Sequence, residues 1–381
     1  MRPIQSITNR NASIDFLRGI AILLVIITHI NWLPSKLLGQ IFYPLNLGGW
    51  MGVDLFYVLS GYLISSLLFT EYRRTGAIST KMFLIRRGFK IYPAFWFLLI
   101  VTCLAKTFLN LHSDGAVVVT GTNYLYELLF IQNYYNGVWG HTWSLAIEEH
   151  FYLLFAGFLY ITTKYYKLNF KVIAFAYLLL LLVCLFFRFY YNFIAYDSEY
   201  ELNSAMTHLR IDALFFGVLL SYVSMYKPAV IKRFVSYKAI LLPLFFFLLI
   251  LSIYFGRSTK WGVVFLLLTN SWAFGYLLIT AIHFNWGTSR FMRPIIVTGK
   301  YSYSIYLWHI VVKEWVVSKQ TLDYVGINLK WSNQQVLYIL LSIVCGIAFS
   351  KLIEMPFIYL RDRYFPSQVK TKEEHSLSVL V

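Results

Sequence analysis

The chain alternates long apolar runs with short polar connections. Ten runs stand out, at residues 14–33, 50–69, 91–110, 143–163, 171–190, 208–226, 239–255, 261–283, 300–317 and 334–358. A helix needs about 20 apolar residues to cross the hydrocarbon core of a bilayer, so each run predicts a transmembrane helix. Together they predict an all-α integral membrane protein with ten transmembrane helices. The run AILLPLFFFLLILSIYF holds little chemistry and reads as lipid-facing packing. The first run is long, carries Arg18 near its start and lacks a small-residue cleavage site, so it reads as a retained span. The longest connection, Leu111 to Thr142, contains a semi-apolar piece, YLYELLFIQN, expected to lie at the membrane interface or to re-enter the bilayer.

Composition sharpens this picture. The 381 residues are 59% hydrophobic and 13% charged, against about 25% charged in soluble domains, which excludes a soluble enzyme. The net charge of +16 raises the question of a nucleic-acid partner, and its distribution answers it. With the N-terminus in the cytoplasm, the inner segments carry 22 Lys and Arg and the outer segments carry five. This asymmetry is the positive-inside pattern and places both termini in the cytoplasm. A nucleic-acid site needs its charge on one face, whereas here it is spread over six segments, so none is expected. The expected organisation is one transmembrane domain, 1–362, followed by a polar cytoplasmic tail, 363–381. Cys103, Cys184 and Cys345 all fall inside apolar runs, with no metal-ligand spacing and no disulfide framework.

Ionisable side chains inside apolar runs are costly, roughly 2.5–3.5 kcal/mol each at the bilayer centre, so each needs a reason. Arg188, Arg210 and Asp212 lie near run ends and read as snorkelling groups or structural ion pairs. Arg18 and His29 have ten residues between them and fall about 20° out of register, on one helix face and about 16.5 Å apart along the axis. They cannot hydrogen-bond to each other on a straight helix, but they can hold two ends of one long substrate. In GVDLFYVLSGYLI, Asp54 shares a face with Gly61 and Ser65 and is a candidate to orient a histidine or a hydroxyl; helix packing explains Gly61. In RRGFKIYP, Arg87 and Lys90 share a face, and with Arg86 and Arg18 they offer a cationic cup for phosphates. In HTWSLAIEEHFYL, Ser144, Glu148 and Tyr152 form one polar stripe, while Glu149 and His150 are expected to point elsewhere. In YSYSIYLWHIVVK, Ser302, Tyr306, His309 and Lys313 line one face, with His309 at a depth comparable with His29. In IEMPF, Glu354 is expected beside the cationic cluster.

These stretches together resemble the acyltransferase family 3, multi-span membrane O-acyltransferases of bacteria. The resemblance rests on Arg18 and His29, the GVDLFYVLSG block with Asp54, the RRGFKIYP block, Trp143, Ser144 and Glu148 of WSLAIE, SYSIYLWH with His309, and the terminal Glu354-Met-Pro356. They occur in the family's order over residues 15 to 356. Lys90 departs from the family's usual Arg, which keeps the charge and loses the bidentate fork.

The resemblance implies ten spans, acyl-CoA (acetyl-CoA above all) as co-substrate from the cytoplasm, and acylation of a hydroxyl on a saccharide or glycolipid. His29 matches the family's catalytic histidine. Combined with the residue reading, His29, Asp54 and Glu148 form the expected catalytic group. Arg18, Arg86, Arg87 and Lys90 form the donor site, and Trp143, Ser144, His309 and Glu354 contact or support the acceptor. No metal and no bound cofactor are expected. The expected location is the bacterial inner membrane. A transporter or flippase of polar lipids would also need intramembrane histidines and carboxylates, but it predicts internal repeats and broken helices, and the sequence shows neither. A purely structural scaffold predicts local pairing of every buried charge.

Overall fold

The computed structural model describes residues 11–30, 37–109, 120–195, 204–256, 258–287 and 289–367. Arg2, Arg10, Lys36, Arg257, Lys370, Lys372, the stretch 111–119, the acidic loop at 196–201 and the tail beyond 367 lie outside the described residues.

The described residues form sixteen α-helices: α1 (Ala12–Thr28), α2 (Leu37–Gly48), α3 (Met51–Thr75), α4 (Thr80–Leu109), α5 (Gly121–Leu128), α6 (Trp143–Tyr165), α7 (Phe170–Tyr190), α8 (Ile211–Tyr226), α9 (Pro228–Ser236), α10 (Lys238–Phe255), α11 (Leu267–His283), α12 (Arg293–Lys300), α13 (Ser302–Val311), α14 (Lys319–Tyr324), α15 (Trp331–Phe349) and α16 (Met355–Tyr364). No strand occurs among the described residues. Helix starts follow their capping chemistry: Asn11 accepts from Ser13 N–H at 3.0 Å before α1, and Asn169 accepts from Val172 N–H at 3.1 Å before α7. Gly76, at φ 70°, ends α3 in the left-handed conformation that favours glycine.

Each predicted run contains a helix. Among the described residues, seven helices are long and apolar enough to cross a membrane, or eight if α8 and α9, bent by 106°, count as one span. This makes the chain a multi-pass, all-α membrane protein. The other three predicted runs hold shorter helices: α1 has 17 residues, α8 has 16 and α13 has 10, the last continuing into a π-turn at Val312–Val316. The buried helices α3 and α11 form the centre, and α7 and α10 lie outside them. The apolar run of α10 turns Phe246 and Phe247 outward, as its composition predicts.

Two helix pairs approach at backbone distance. A Cβ on Gly61 would fall 1.9 Å from the Leu214 carbonyl oxygen, and one on Gly217 would fall 2.4 Å from that of Val58, so α3 and α8 interlock. Between α1 and α12 the same exchange involves Gly19 with Ile295 and Gly299 with Asp15. Glycine is required where backbones meet this closely in lipid.

The buried charges near the run ends are ion pairs. Arg188 meets Asp212 at 2.6 Å, both 1% exposed, and Arg210 meets Asp54 at 2.8 Å. Burial this deep leaves no route for snorkelling to water.

Candidate active site

A cavity opens between α1, α3, α4, α6 and α13, and it encloses about 910 Å³, its mouth included. Its polar lining has two zones. One is cationic: Arg18 from α1, with Arg87 and Lys90 one turn apart on α4. The other belongs to α6, which contributes Ser144, Glu148, Glu149 and Tyr152, faced by Tyr303 and Tyr306 from α13. Tyr152 donates to Glu148 at 2.6 Å and receives from Ser60 at 3.2 Å, and the Arg87 guanidinium lies 5.5 Å from the centre of the Tyr152 ring.

Glu149 corrects the sequence expectation. It lines the same cavity as Glu148 and accepts from Tyr92 of α4 at 3.0 Å. Neighbouring helix positions diverge by about 100°, and this cavity is broad enough to receive both. His150 does point away, to Thr207 Oγ1 at 2.6 Å.

The cavity ends at Tyr306. Its hydroxyl donates to the His141 carbonyl at 2.5 Å and receives from Ser144 at 2.6 Å. On the other side of this residue three imidazoles stand in series. The His29 and His309 ring centres are 5.1 Å apart, and those of His309 and His141 are 5.0 Å apart. Each ring directs one nitrogen at a backbone carbonyl: His29 Nδ1 at Val25, 2.7 Å; His309 Nδ1 at Tyr306, 2.6 Å; His141 Nε2 at Leu307, 3.3 Å. A carbonyl only accepts, so these nitrogens carry the protons and the opposite nitrogens carry the lone pairs.

Other expected site residues are drawn into supports. Arg86 pairs with Asp362 at 3.0 Å and donates to the Phe365 carbonyl, so it anchors the end of α16 and leaves the expected donor set. Asp54 receives from Arg210 at 2.8 Å and Asn270 at 3.0 Å, one on each oxygen. The Arg210 guanidinium lies 5.4 Å from the Trp143 ring centre, tying α6 to this brace. Glu354 receives from Ser304 and Ser350, both at 2.8 Å, which ties α13 to the end of α15. Among the described residues no group of three or more His, Cys, Asp or Glu is arranged to hold a metal ion.

A family profile described as "Acyltransferase domain" matches residues 11–354. The chain belongs to this acyltransferase family. It is similar to O-acetyltransferase OatA of Staphylococcus aureus strain MRSA252, with 28% identity over 97% of this chain and 60% of the relative. The OatA of strain NCTC 8325 matches at the same identity and coverage. The acyltransferase-family chain thus spans about three-fifths of the length of these relatives. No solved structure matches it.

Within this acyltransferase domain, sequence reasoning missed His141 as a member of the histidine series. It sits in the short 3₁₀ turn Gly140–Thr142, before the run that drew attention. Glu127 was missed as well. It is fully buried and accepts from the N–H groups of Val138 and Trp139 at 3.0 and 3.2 Å and from Thr142 at 2.8 Å, so it holds the loop that delivers His141. The signal for His141 is a polar residue just before an apolar run, and that for Glu127 is a lone carboxylate inside the semi-apolar piece YLYELLFIQN.

Proposed function

We propose that this chain is a membrane O-acyltransferase that moves an acyl group, acetyl first among them, from acyl-CoA to a hydroxyl of a saccharide or glycolipid. The carrying observation is the order of zones: cations at Arg18, Arg87 and Lys90 in the cavity, the polar wall at Ser144 and Tyr306 that bounds it, and His29 on the far side of that wall. Phosphates suit the first zone, because guanidinium and ammonium groups bind them by charge-assisted hydrogen bonds. The pantetheine arm follows α1, whose rise from Arg18 to His29 is about 16.5 Å. Its thioester then meets the Nε2 lone pair of His29, a base or nucleophile for acyl transfer. Glu148, from the other side of the cavity, helps to place the donor or the acceptor.

The basic ends of the helices face the cytoplasm in this reading, and the protein resides in the bacterial inner membrane with both termini inside. Reporter fusions after Tyr72, Tyr166 and Phe234 should all report cytoplasm; an external signal from any of them overturns the donor route. A lipid flippase is not favoured, because the matching family is one of acyltransferases.

The test of the activity is transfer of radiolabel from acetyl-CoA to membrane glycans by vesicles carrying the protein. His29→Ala should insert normally and lose transfer by about 10²–10⁴-fold, the scale of general acid–base catalysis. Normal transfer by a well-expressed His29→Ala protein rejects the assignment.

A further inference from the structure

Two nitrogens in the histidine series lack any hydrogen-bond partner among the described residues: His309 Nε2 and His141 Nδ1. His309 is fully buried and His141 is 6% exposed. Buried polar atoms are normally paired, so a pair of neighbouring orphans requires a reason. Their chemistry supplies one. With each ring's proton committed to a backbone carbonyl, both orphan nitrogens are acceptors, and two acceptors cannot bond to each other. The His309 ring centre lies 5.1 Å from that of His29 and 5.0 Å from that of His141. His309 Nε2 therefore holds an unused lone pair in the histidine series beside His29.

We propose that His309, backed by His141, is a second base beside His29, and that it takes the proton of the acceptor hydroxyl. This rests on the acyl-CoA reading above. Two bases at one site divide the work. His29 Nε2 attacks the thioester carbonyl, the C–S bond breaks and CoA departs as thiolate, which takes its proton from water on the donor side. The acyl-imidazolium keeps its Nδ1 proton on Val25. The acceptor oxygen then adds to the acyl carbon while its proton passes to His309 Nε2. The C–N bond breaks, and its electron pair returns to His29. His309 hands its proton to solvent, and the net change is thioester plus alcohol to ester plus thiol. His141 is a positioning residue: its ring stands edge-on to that of His309, at 78° with centres 5.0 Å apart, and fixes its orientation.

The test uses the purified full chain with acetyl-CoA and no added acceptor, so that water takes the acyl group, and follows CoA release by rapid mixing with a thiol reagent. The wild type should show a burst of about one equivalent followed by a slower steady rate, the signature of a covalent intermediate. His309→Gln should keep the burst and lose roughly 10²-fold or more in the steady rate. The burst itself then shows that the variant is folded. His29→Ala should lose both phases. His141→Leu, which removes the ring packed against His309, should keep the burst and slow the steady rate, and His141→Phe, which restores a ring there, should recover part of that rate. If His309→Gln does not elute as a monodisperse species, His141→Leu carries the comparison. Wild-type turnover without a burst, or a folded His309→Gln with an unchanged steady rate or with burst and steady rate lost together, overturns the proposal alone. Absence of CoA release from every form, wild type included, overturns it together with the acyl-CoA reading.

Discussion

Tyr306 donates its hydroxyl proton to the backbone carbonyl of His141, and this one bond of 2.5 Å forms the boundary between the cationic cavity and the histidine series. Ser144 completes the boundary by donating to Tyr306 from α6. The wall is built from one side chain of α13 and one of α6, and each is braced elsewhere: α13 through Ser304 and Glu354, the start of α6 through Glu127.

Tyr306→Phe keeps the ring and removes the hydroxyl. It leaves the His141 carbonyl without this donor and the Ser144 hydroxyl without its acceptor in a buried layer. The expected cost is about 1–3 kcal/mol of stability, the usual penalty for stranding a buried polar group. Thermal unfolding in detergent measures it, and an unchanged midpoint would mean that the wall is held by other contacts.

The two arginines of RRGFKIYP should separate by phenotype. Arg87→Ala should weaken binding of a non-hydrolysable acetyl-CoA analogue by about 1.5–3 kcal/mol, the worth of a hydrogen bond to a charged group. Arg87→Lys should recover part of that loss. Arg18→Ala is expected to behave in the same way, and His29→Ala should bind the analogue normally. Arg86→Ala should leave affinity intact, because its partners are Asp362 and Phe365. Calorimetric titration of the five variants decides; an affinity loss confined to Arg86→Ala reverses the assignment.

Asp54 is expected to matter to folding more than to chemistry. Asp54→Ala strands Arg210 in a buried site, and breaking such a pair costs about 3–5 kcal/mol. The fraction that folds should turn over acetyl-CoA at the wild-type rate. Full stability with abolished turnover would return Asp54 to the catalytic group.

Glu127 lies outside the spanning helices, and burial pushes its carboxyl up to about 7. The folded state therefore binds more protons than the unfolded state between the ordinary carboxyl range and about pH 7. Its contribution to stability is full below the unfolded value and is lost as pH rises through about 7. Glu127→Gln keeps an acceptor oxygen and does not titrate. The difference in melting temperature between wild type and Glu127→Gln should move against the wild type from pH 5 to pH 8. A constant difference would show that Glu127 does not titrate in this range.

The legible part of this site was the part written in helical period. Arg18, Arg87, Lys90, Ser144 and Glu148 sit on predicted faces and line the cavity, because 3.6-residue spacing fixes direction without reference to neighbours. What the sequence does not carry is the identity of distant partners. Arg86 meets Asp362 across 276 positions and Asp54 meets Arg210 across 156, and a charge on a helix face looks the same whether it meets a phosphate or a carboxylate. Helix period also says nothing of cavity width, which is why Glu149 was assigned to another face. His141 escaped because a three-residue turn has no period to read.

The reciprocal glycines decide which parts of the molecule can move. In α1–α12 and α3–α8 the backbones are seated against each other, so a slide of one residue, about 1.5 Å, would drive side chains into carbonyl oxygens. These four helices act as a stator. Of the other helices around the cavity, α4 and α6 are joined to each other through Tyr92 and Glu149, and α6 meets α3 through Tyr152 and Ser60, contacts made by side chains that can rotate. Admission of a bulky donor falls to that side, with α16 carried along through Arg86. Divergence in acyl-chain length among related chains should accumulate in α4 and α6, while the glycine seams stay as they are.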